Sequence, residues 1–259
     1  MTIRPMLRAL VVFGGIVVAW QAVVVLTAVP PYILPGPAEV AAAWLRNADR
    51  ILGDASVTLA EIALGLAVGI LCGALAALAV AASPGARRWL LPLLVASQAI
   101  PVFALAPLLV LWLGYGMASK IAMAALVIFF PVAAAFHDGL REVETGWLDL
   151  ARVMQGGRDD AAARLRAFAF VRVPAALPGL ASGVRIGAAV APIGAVIGEW
   201  VGSGSGLGHL MLHANGRMQV DLMFAALFTL AALAVFLWFA TDRLVARLLH
   251  WRPRGGALS

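Results

Sequence analysis

Among the side chains able to do chemistry from within the apolar runs of this sequence are Glu61, Ser97, Gln98, Ser182, Arg185 and Glu199. A carboxylate near a membrane edge costs about 1–3 kcal/mol unless it is paired or wet, so Glu199 must reach outer water or hold a cation. Arg185, in the middle of its run, either snorkels toward an interface or holds a carboxylate such as Glu61 or Glu199. Ser97, Gln98, Ser182 and Glu199 are the candidates to line a polar path through an apolar phase. Groups of this kind touch a passing solute; they do not make or break its bonds.

Bond-making chemistry is not legible. No G-x-x-x-x-G-K-[ST] loop occurs, and the nearest stretch, Gly114 to Lys120, lacks the second glycine and the hydroxyl that cradle phosphates. His209 and His213 stand four apart without the glutamate and third ligand of a zinc hydrolase, and are read as loop or helix-end residues. The run GSGSGLG, Gly202 to Gly208, follows a helix rather than a strand and is read as a flexible outer loop. Cys72 is the single cysteine, which excludes a disulfide framework and a cysteine-built metal site. No cofactor is expected in the chain itself. An enzyme buried in a membrane would cluster His, Asp or Glu at one depth, and the four histidines are scattered.

The elements that must position these residues follow from composition. Of 259 residues, 63% are hydrophobic and 12% charged, against about 25% charged in soluble domains. Mean hydropathy is +0.97. The apolar runs are long and continuous, which suits helices that satisfy their own backbone in lipid. The expected fold is all-α and integral to a membrane, a single domain over 1–259. Six spans are placed by the need for roughly 20 apolar residues per crossing: 9–29, 55–82, 89–113, 120–136, 175–200 and 222–246. The first is read as an uncleaved span rather than a signal peptide, because its apolar core is longer than a signal h-region and no A-x-A site follows.

Arginine placement sets the orientation. With the N-terminus inside, the inner segments hold fourteen arginines and the outer segments only Arg46, Arg50, Lys120 and Arg217, with Arg185 left within a span. Both termini are then cytoplasmic. This bias accounts for the net charge of +6 without a nucleic-acid partner. Outside, four prolines between Pro30 and Pro37 turn the chain. Val40, Trp44, Leu45, Ala48, Ile51 and Leu52 then share one helical face, which reads as a short amphipathic surface helix or a structured loop packed on the bundle. Glycines recur every fourth residue at Gly65, Gly69 and Gly73, at Gly179, Gly183 and Gly187, and at Gly194, Gly198 and Gly202. Such rows let helix backbones touch. Prolines inside the third, fourth and fifth spans predict kinks of the sort tolerated beside a water-filled path.

The longest charged segment runs from Trp147 to Gly179 and falls in the cytoplasm in this orientation. A bundle that merely sat in lipid has no use for it; one driven by a soluble partner does. The segment resembles the coupling loop of bacterial ABC-importer permeases, E-A-A-x3-G-x9-I-x-L-P. Its ending is met by Val171-Arg172-Val173-Pro174 and the following Ala175-Ala176-Leu177-Pro178-Gly179. Counted back without gaps, the opening falls on Gln155-Gly156-Gly157 and the glycine on Ala161. With an insertion, Asp149-Leu150-Ala151-Arg152-Val153-Met154-Gln155-Gly156 fits better, and this register is preferred.

Further strings are similar to the sulfonate, taurine, nitrate and pyrimidine group of these permeases: Leu34 to Val40, Gln98 to Pro101, Ala106 to Leu109 and Trp112 to Gly116. Gly116 to Lys120, Trp147 to Arg152, Ala191 to Trp200 and Met211 to Asn215 look most like permeases for the thiamine precursor hydroxymethylpyrimidine and its relatives. The resemblance implies an importer permease subunit in a bacterial inner membrane, paired as a homodimer. It implies two ATPase subunits below, which bind ATP and Mg, and a periplasmic or lipid-anchored binding protein above. It implies a coupling helix within about 141–174, between spans four and five, that docks on the ATPase. The residues placed there are Asp149, Ala151, Arg152, Gln155, Gly156, Arg158, Arg164 and Pro174. The alternative cargo is a sulfonate, taurine or nitrate. A secondary transporter independent of an ATPase would instead need an ionisable relay near midplane and internal repeats, and neither stands out.

Overall fold

The computed structural model describes residues 3–97, 100–157 and 160–251. Among these the chain is helical throughout and no strand occurs. Four helices are long and apolar enough to cross a membrane: Ala48–Ala82, Met117–Arg141, Ala161–Gly202 and Val220–Leu248. In chain order the helices are α1 (Ile3–Thr27), α2 (Pro37–Arg46), α3 (Ala48–Ala82), α4 (Pro84–Ser97), α5 (Val102–Leu113), α6 (Met117–Arg141), α7 (Thr145–Met154), α8 (Ala161–Ala167), α9 (Val173–Gly202), α10 (Leu207–Gly216) and α11 (Val220–Leu248).

Three sequence expectations change. The amphipathic stretch after Pro37 is two helices, not one. The Asn47 amide donates to the Ala43 carbonyl while its own carbonyl accepts from Ile51 N–H, so α2 stops and α3 starts within one residue. The expected third span is likewise split. Pro101 has no N–H to continue a helix and pushes its predecessor toward extended backbone. The resulting α4 and α5, of 14 and 12 residues, are each about 21 and 18 Å long, short of the roughly 30 Å lipid core. The GSGSGLG run is held rather than loose: Gly206 N–H donates to Asp54 Oδ1 and Leu207 N–H to Thr58 Oγ1, which satisfies the first amides of α10 from α3.

Two compact units emerge, residues 1–58 with 204–232, and 59–203 with 233–259. In the first, Val40, Ile51, Ala55, Leu207, Leu210, Leu222 and Ala226 form a core, with Trp20 and Trp44 packed against it. Trp44 Nε1 donates to Thr229 Oγ1 at 3.0 Å, so the indole buries its ring without stranding its N–H.

In the second unit α6 is the central helix. The Gly65, Gly69 and Gly73 row of α3 lies on one side of it, parallel, against Ala124, Ile128 and Val132. Both glycine rows of α9 lie on it antiparallel, Gly183 over Pro131 and Val132, Gly194 over Ala124, and Gly198 over Lys120. A Cβ at Gly65 would meet that of Ala124 at 2.5 Å, and one at Gly194 the Ala124 Cα at 2.7 Å. The rows are therefore packing surfaces, since in lipid no hydrophobic drive pulls helices together and close van der Waals fit must do it. Half of the most apolar stretch of α6 is buried, against 17% of that of α11, which leaves α11 the lipid- or partner-facing helix of the two.

Candidate functional site

Two assemblies in the second unit bear on function. The first is ionic. Glu61 of α3, Lys120 of α6 and Glu199 of α9 are each at most 3% exposed. Lys120 Nζ forms an ion pair with Glu61 and donates to Ser203 Oγ at 3.0 Å. Glu61 faces the Lys120 ammonium and the Glu199 carboxyl. Each of three packed helices thus contributes one charged group, two acidic and one basic. The close approach of Gly198 to the Lys120 backbone brings Glu199 into this contact. A buried charge of this sort is costly alone and tolerable only when paired.

This arrangement corrects two sequence expectations. Lys120 is not an outer-loop residue; it lies in the first turns of α6 and is buried. Arg185 pairs with neither Glu61 nor Glu199. Its Nε donates to Asp242 Oδ1 of α11 at 2.6 Å, with both side chains about one-third exposed. Glu199 stands fourteen residues further along the same helix, about 21 Å away, beyond the reach of any side chain. The missed signal was Lys120 itself, a lysine four residues into an apolar helix.

Of the other path candidates, Ser182 is exposed on α9. It stands about 26 Å along the axis from Glu199, so the two do not form one site. Ser97 ends α4, and Gln98 lies outside the described residues. The His209 and His213 rings lie 4.1 Å apart between centres on α10, tilted by 39°, and among the described residues no group of three metal-ligating side chains forms.

The second assembly is the charged segment. The helix α7 ends in a Schellman turn. Gly156 N–H bonds the Val153 carbonyl, Gly157 N–H bonds that of Arg152, and both glycines have φ near +70°. Asp160 then caps α8, its Oδ1 accepting Ala163 N–H at 2.7 Å. Pro174 does not end the helix. A five-residue π-turn, Phe168–Arg172, precedes it, and Val173 N–H reaches back to the Phe168 carbonyl. That extra residue per turn absorbs the register slip around the missing proline N–H, so the helix runs on from 161 to 202.

Ala151 is buried, while Trp147, Leu150 and Met154, which line an apolar cavity with it beside Phe170 and Val171, stay largely exposed, as does Val153. Asp149 and Arg152 pair on the surface at 3.3 Å. Arg152, Gln155 and Arg164 line a cavity of about 520 Å³ with Leu148, Phe168 and Arg172. Asp149, Ala151, Arg152, Gln155, Gly156 and Arg164 are thereby gathered on one short helix, its turn and the next helix; Arg158 lies outside the described residues.

Residues 65–250 match the family described as binding-protein-dependent transport system inner membrane component. The chain is 51% identical to a probable ABC transporter permease protein of Haemophilus influenzae, over 94% of this chain and 97% of the relative. It is 36% identical to the riboflavin transport system permease protein of Chloroflexus aurantiacus, over 91% and 87%. It is 35% identical to the formylaminopyrimidine transport permease protein of Halalkalibacterium halodurans, over 86% and 88%. Aliphatic sulfonate and taurine transport permeases also match. The fold is shared with a chain of the MetNI methionine ABC transporter, solved facing inward, at a TM-score of 0.57 and 23% identity, covering 80% of this chain and 96% of that one.

Proposed function

Because this chain belongs to the family of inner membrane components of binding-protein-dependent transport systems, we propose that it is the permease subunit of an ATP-driven importer. In this reading 1–259 is one transmembrane domain with six spans, α4 and α5 together serving as the third and α1 as the first. Both termini are cytoplasmic. The chain works as a homodimer, with two ATPase subunits beneath it and a periplasmic or lipid-anchored binding protein above. The ATPases hold the ATP and Mg.

The observation that carries the mechanism is α7. It is a ten-residue helix that shows an apolar row to solvent, flanked by Asp149, Arg152 and Arg164, and it lies in a segment that feeds straight into the long helix 161–202. An exposed row of Trp147, Leu150, Val153 and Met154 needs a partner to cover it. The αL glycine at the end of α7 matches the preferred register of the family loop. ATP-driven closure of the partner subunits would displace α7 and, through the unbroken helix, shift α9 against α6. The two access states then exchange because the ATPase binds them with different affinity. Ser182, on the open side of α9, and Ser97 and Gln98, at the α4–α5 break, would line the path. Glu199 would join it only when its ionic cluster opens.

For cargo, the reading is a thiamine-precursor pyrimidine, hydroxymethylpyrimidine or a formylamino relative. The relative named for formylaminopyrimidine transport supports it, and the flavin ring system of the riboflavin relative's cargo contains a fused pyrimidine. The second reading, a sulfonate or taurine importer, has the sulfonate and taurine relatives behind it. Two experiments decide. The chain should co-purify with its partner ATPase, and replacing 149–158 by a Gly/Ser linker should abolish both capture and uptake; unchanged uptake refutes the coupling role. Titrating the neighbouring binding protein with pyrimidines against taurine separates the cargoes.

A further inference from the structure

We propose that the pocket where α3 ends, α4 begins and the π-turn passes α6 is a binding site for a phosphate group, carried by an anionic lipid headgroup or free in solution. The pocket has a volume of about 170 Å³ and is lined by Ser83, Arg87, His137, Arg141 and Arg172, with small and apolar residues closing its back. Three arginines from three different elements line it, and among the described residues no carboxylate does. Among the described residues none of the three arginines pairs with an acidic side chain.

What marks this as a built site is the state of its polar atoms. His137 is 6% exposed, and among the described residues neither of its ring nitrogens has a hydrogen-bond partner; the buried Arg172 Nε has none among them either. A polar atom removed from water without a partner costs about 1–3 kcal/mol, so orphaned donors facing one cavity call for an acceptor within it. Asp138, the exposed neighbour of His137, acts on the ring electrostatically but does not enter the pocket. At the mouth Ser83 Oγ caps Ala86 N–H, so the positive end of α4 opens here as well. A tetrahedral oxyanion can accept from guanidinium, imidazole and hydroxyl at once, and arginine is suited to it because its fork of N–H groups matches phosphate oxygens. Basic pockets at the ends of membrane helices are also where anionic headgroups seat. The site needs neither ATPase nor cargo, although its Arg172 also lines the cavity beside α7.

The test uses the full-length chain, delipidated in a neutral detergent. One arm titrates inorganic phosphate against chloride at matched ionic strength and reads binding by 31P line broadening. The other reconstitutes the chain in phosphatidylcholine vesicles with or without phosphatidylglycerol and reads retained lipid by native mass spectrometry. Arg87 is exposed, so Arg87→Gln should fold normally. It should bind the preferred probe about tenfold more weakly, the factor that loss of one charge-assisted hydrogen bond produces. Arg87→Lys should recover most of the loss, and Arg172→Gln should repeat it. Phosphate binding without lipid retention assigns a free anion; lipid retention alone assigns a headgroup; either supports the site. Absence of both from the parent protein, or binding by Arg87→Gln and Arg172→Gln as tight as the parent's, overturns it.

Discussion

Replacing Lys120 with methionine tests whether the buried ionic cluster holds α3, α6 and α9 together. Methionine keeps the length of the lysine stem and removes the ammonium. Glu61 then faces Glu199 with no cation between them, at 0% and 1% exposure. Breaking a buried pair by deleting one partner costs roughly 3–5 kcal/mol, because the remaining charge is stranded. For a chain of this size each kcal/mol moves the unfolding midpoint by about 2–4 °C, so the expected loss is about 6–20 °C. The assay is thermal unfolding in detergent, followed by tryptophan fluorescence. The informative comparison is the double variant Glu61→Leu with Lys120→Met. Exchanging a buried pair for apolar groups of similar volume is often neutral, so the double variant should recover the part of the loss that comes from Glu61, while Glu199 stays buried without the Lys120 charge. A double variant as unstable as Lys120→Met, or a single variant with an unchanged midpoint, would refute the claim that stranded charge is the cause.

Other consequences are open to the same measurement. Gly183→Val places a Cβ 2.8 Å from the Pro131 carbonyl oxygen and Val132 Cα; α9 and α6 must part by about 0.6–1.2 Å to restore ordinary contact, a loss of about 1–3 kcal/mol that should appear as a lower midpoint. Gly156→Ala forces a φ of +68° on a residue with a Cβ, at about 1–2 kcal/mol, and should weaken ATPase capture, whereas Gly146→Ala, with open space around it, should not. Val153→Ser and Met154→Ser, at 74% and 80% exposure, should leave the midpoint unchanged and reduce ATPase co-purification. Asp221→Asn breaks an exposed pair with Arg46 at 3.2 Å and should cost no more than about 1 kcal/mol, read as a midpoint shift of a few degrees at most.

What could be read from the sequence, and what could not, divides along the range of the forces involved. Apolar runs, proline breaks and the four-residue glycine rows are local patterns, and the helices and the α3–α6–α9 contact answer to them. The charged stretch that holds α7 was legible as a segment between spans, whereas the ends of α7, set by the turn at Gly156-Gly157, were not. The charge pairings were not. Glu61 and Lys120 are 59 residues apart, and nothing periodic links them. Lys120 follows Gly114, Gly116 and Ser119, which read as a loop, and a lysine at a helix start is expected to snorkel outward. It turns inward because Gly198 lets α9 press onto its backbone, closing the outward route, while Glu61 waits on the parallel helix α3. The Arg185 partner was missed on the same grounds, since Asp242 belongs to a helix whose rotation no local pattern fixes. Once α6 is fixed between two glycine-faced helices, however, the choice narrows sharply. Small residues set the interhelical distance, the distance decides which long side chains can be enclosed, and only oppositely charged ones survive enclosure. The ionic cluster is in this sense a consequence of the glycine rows, and a substitution that widens α6–α9 should wet Lys120 and Glu199 together before either helix unfolds.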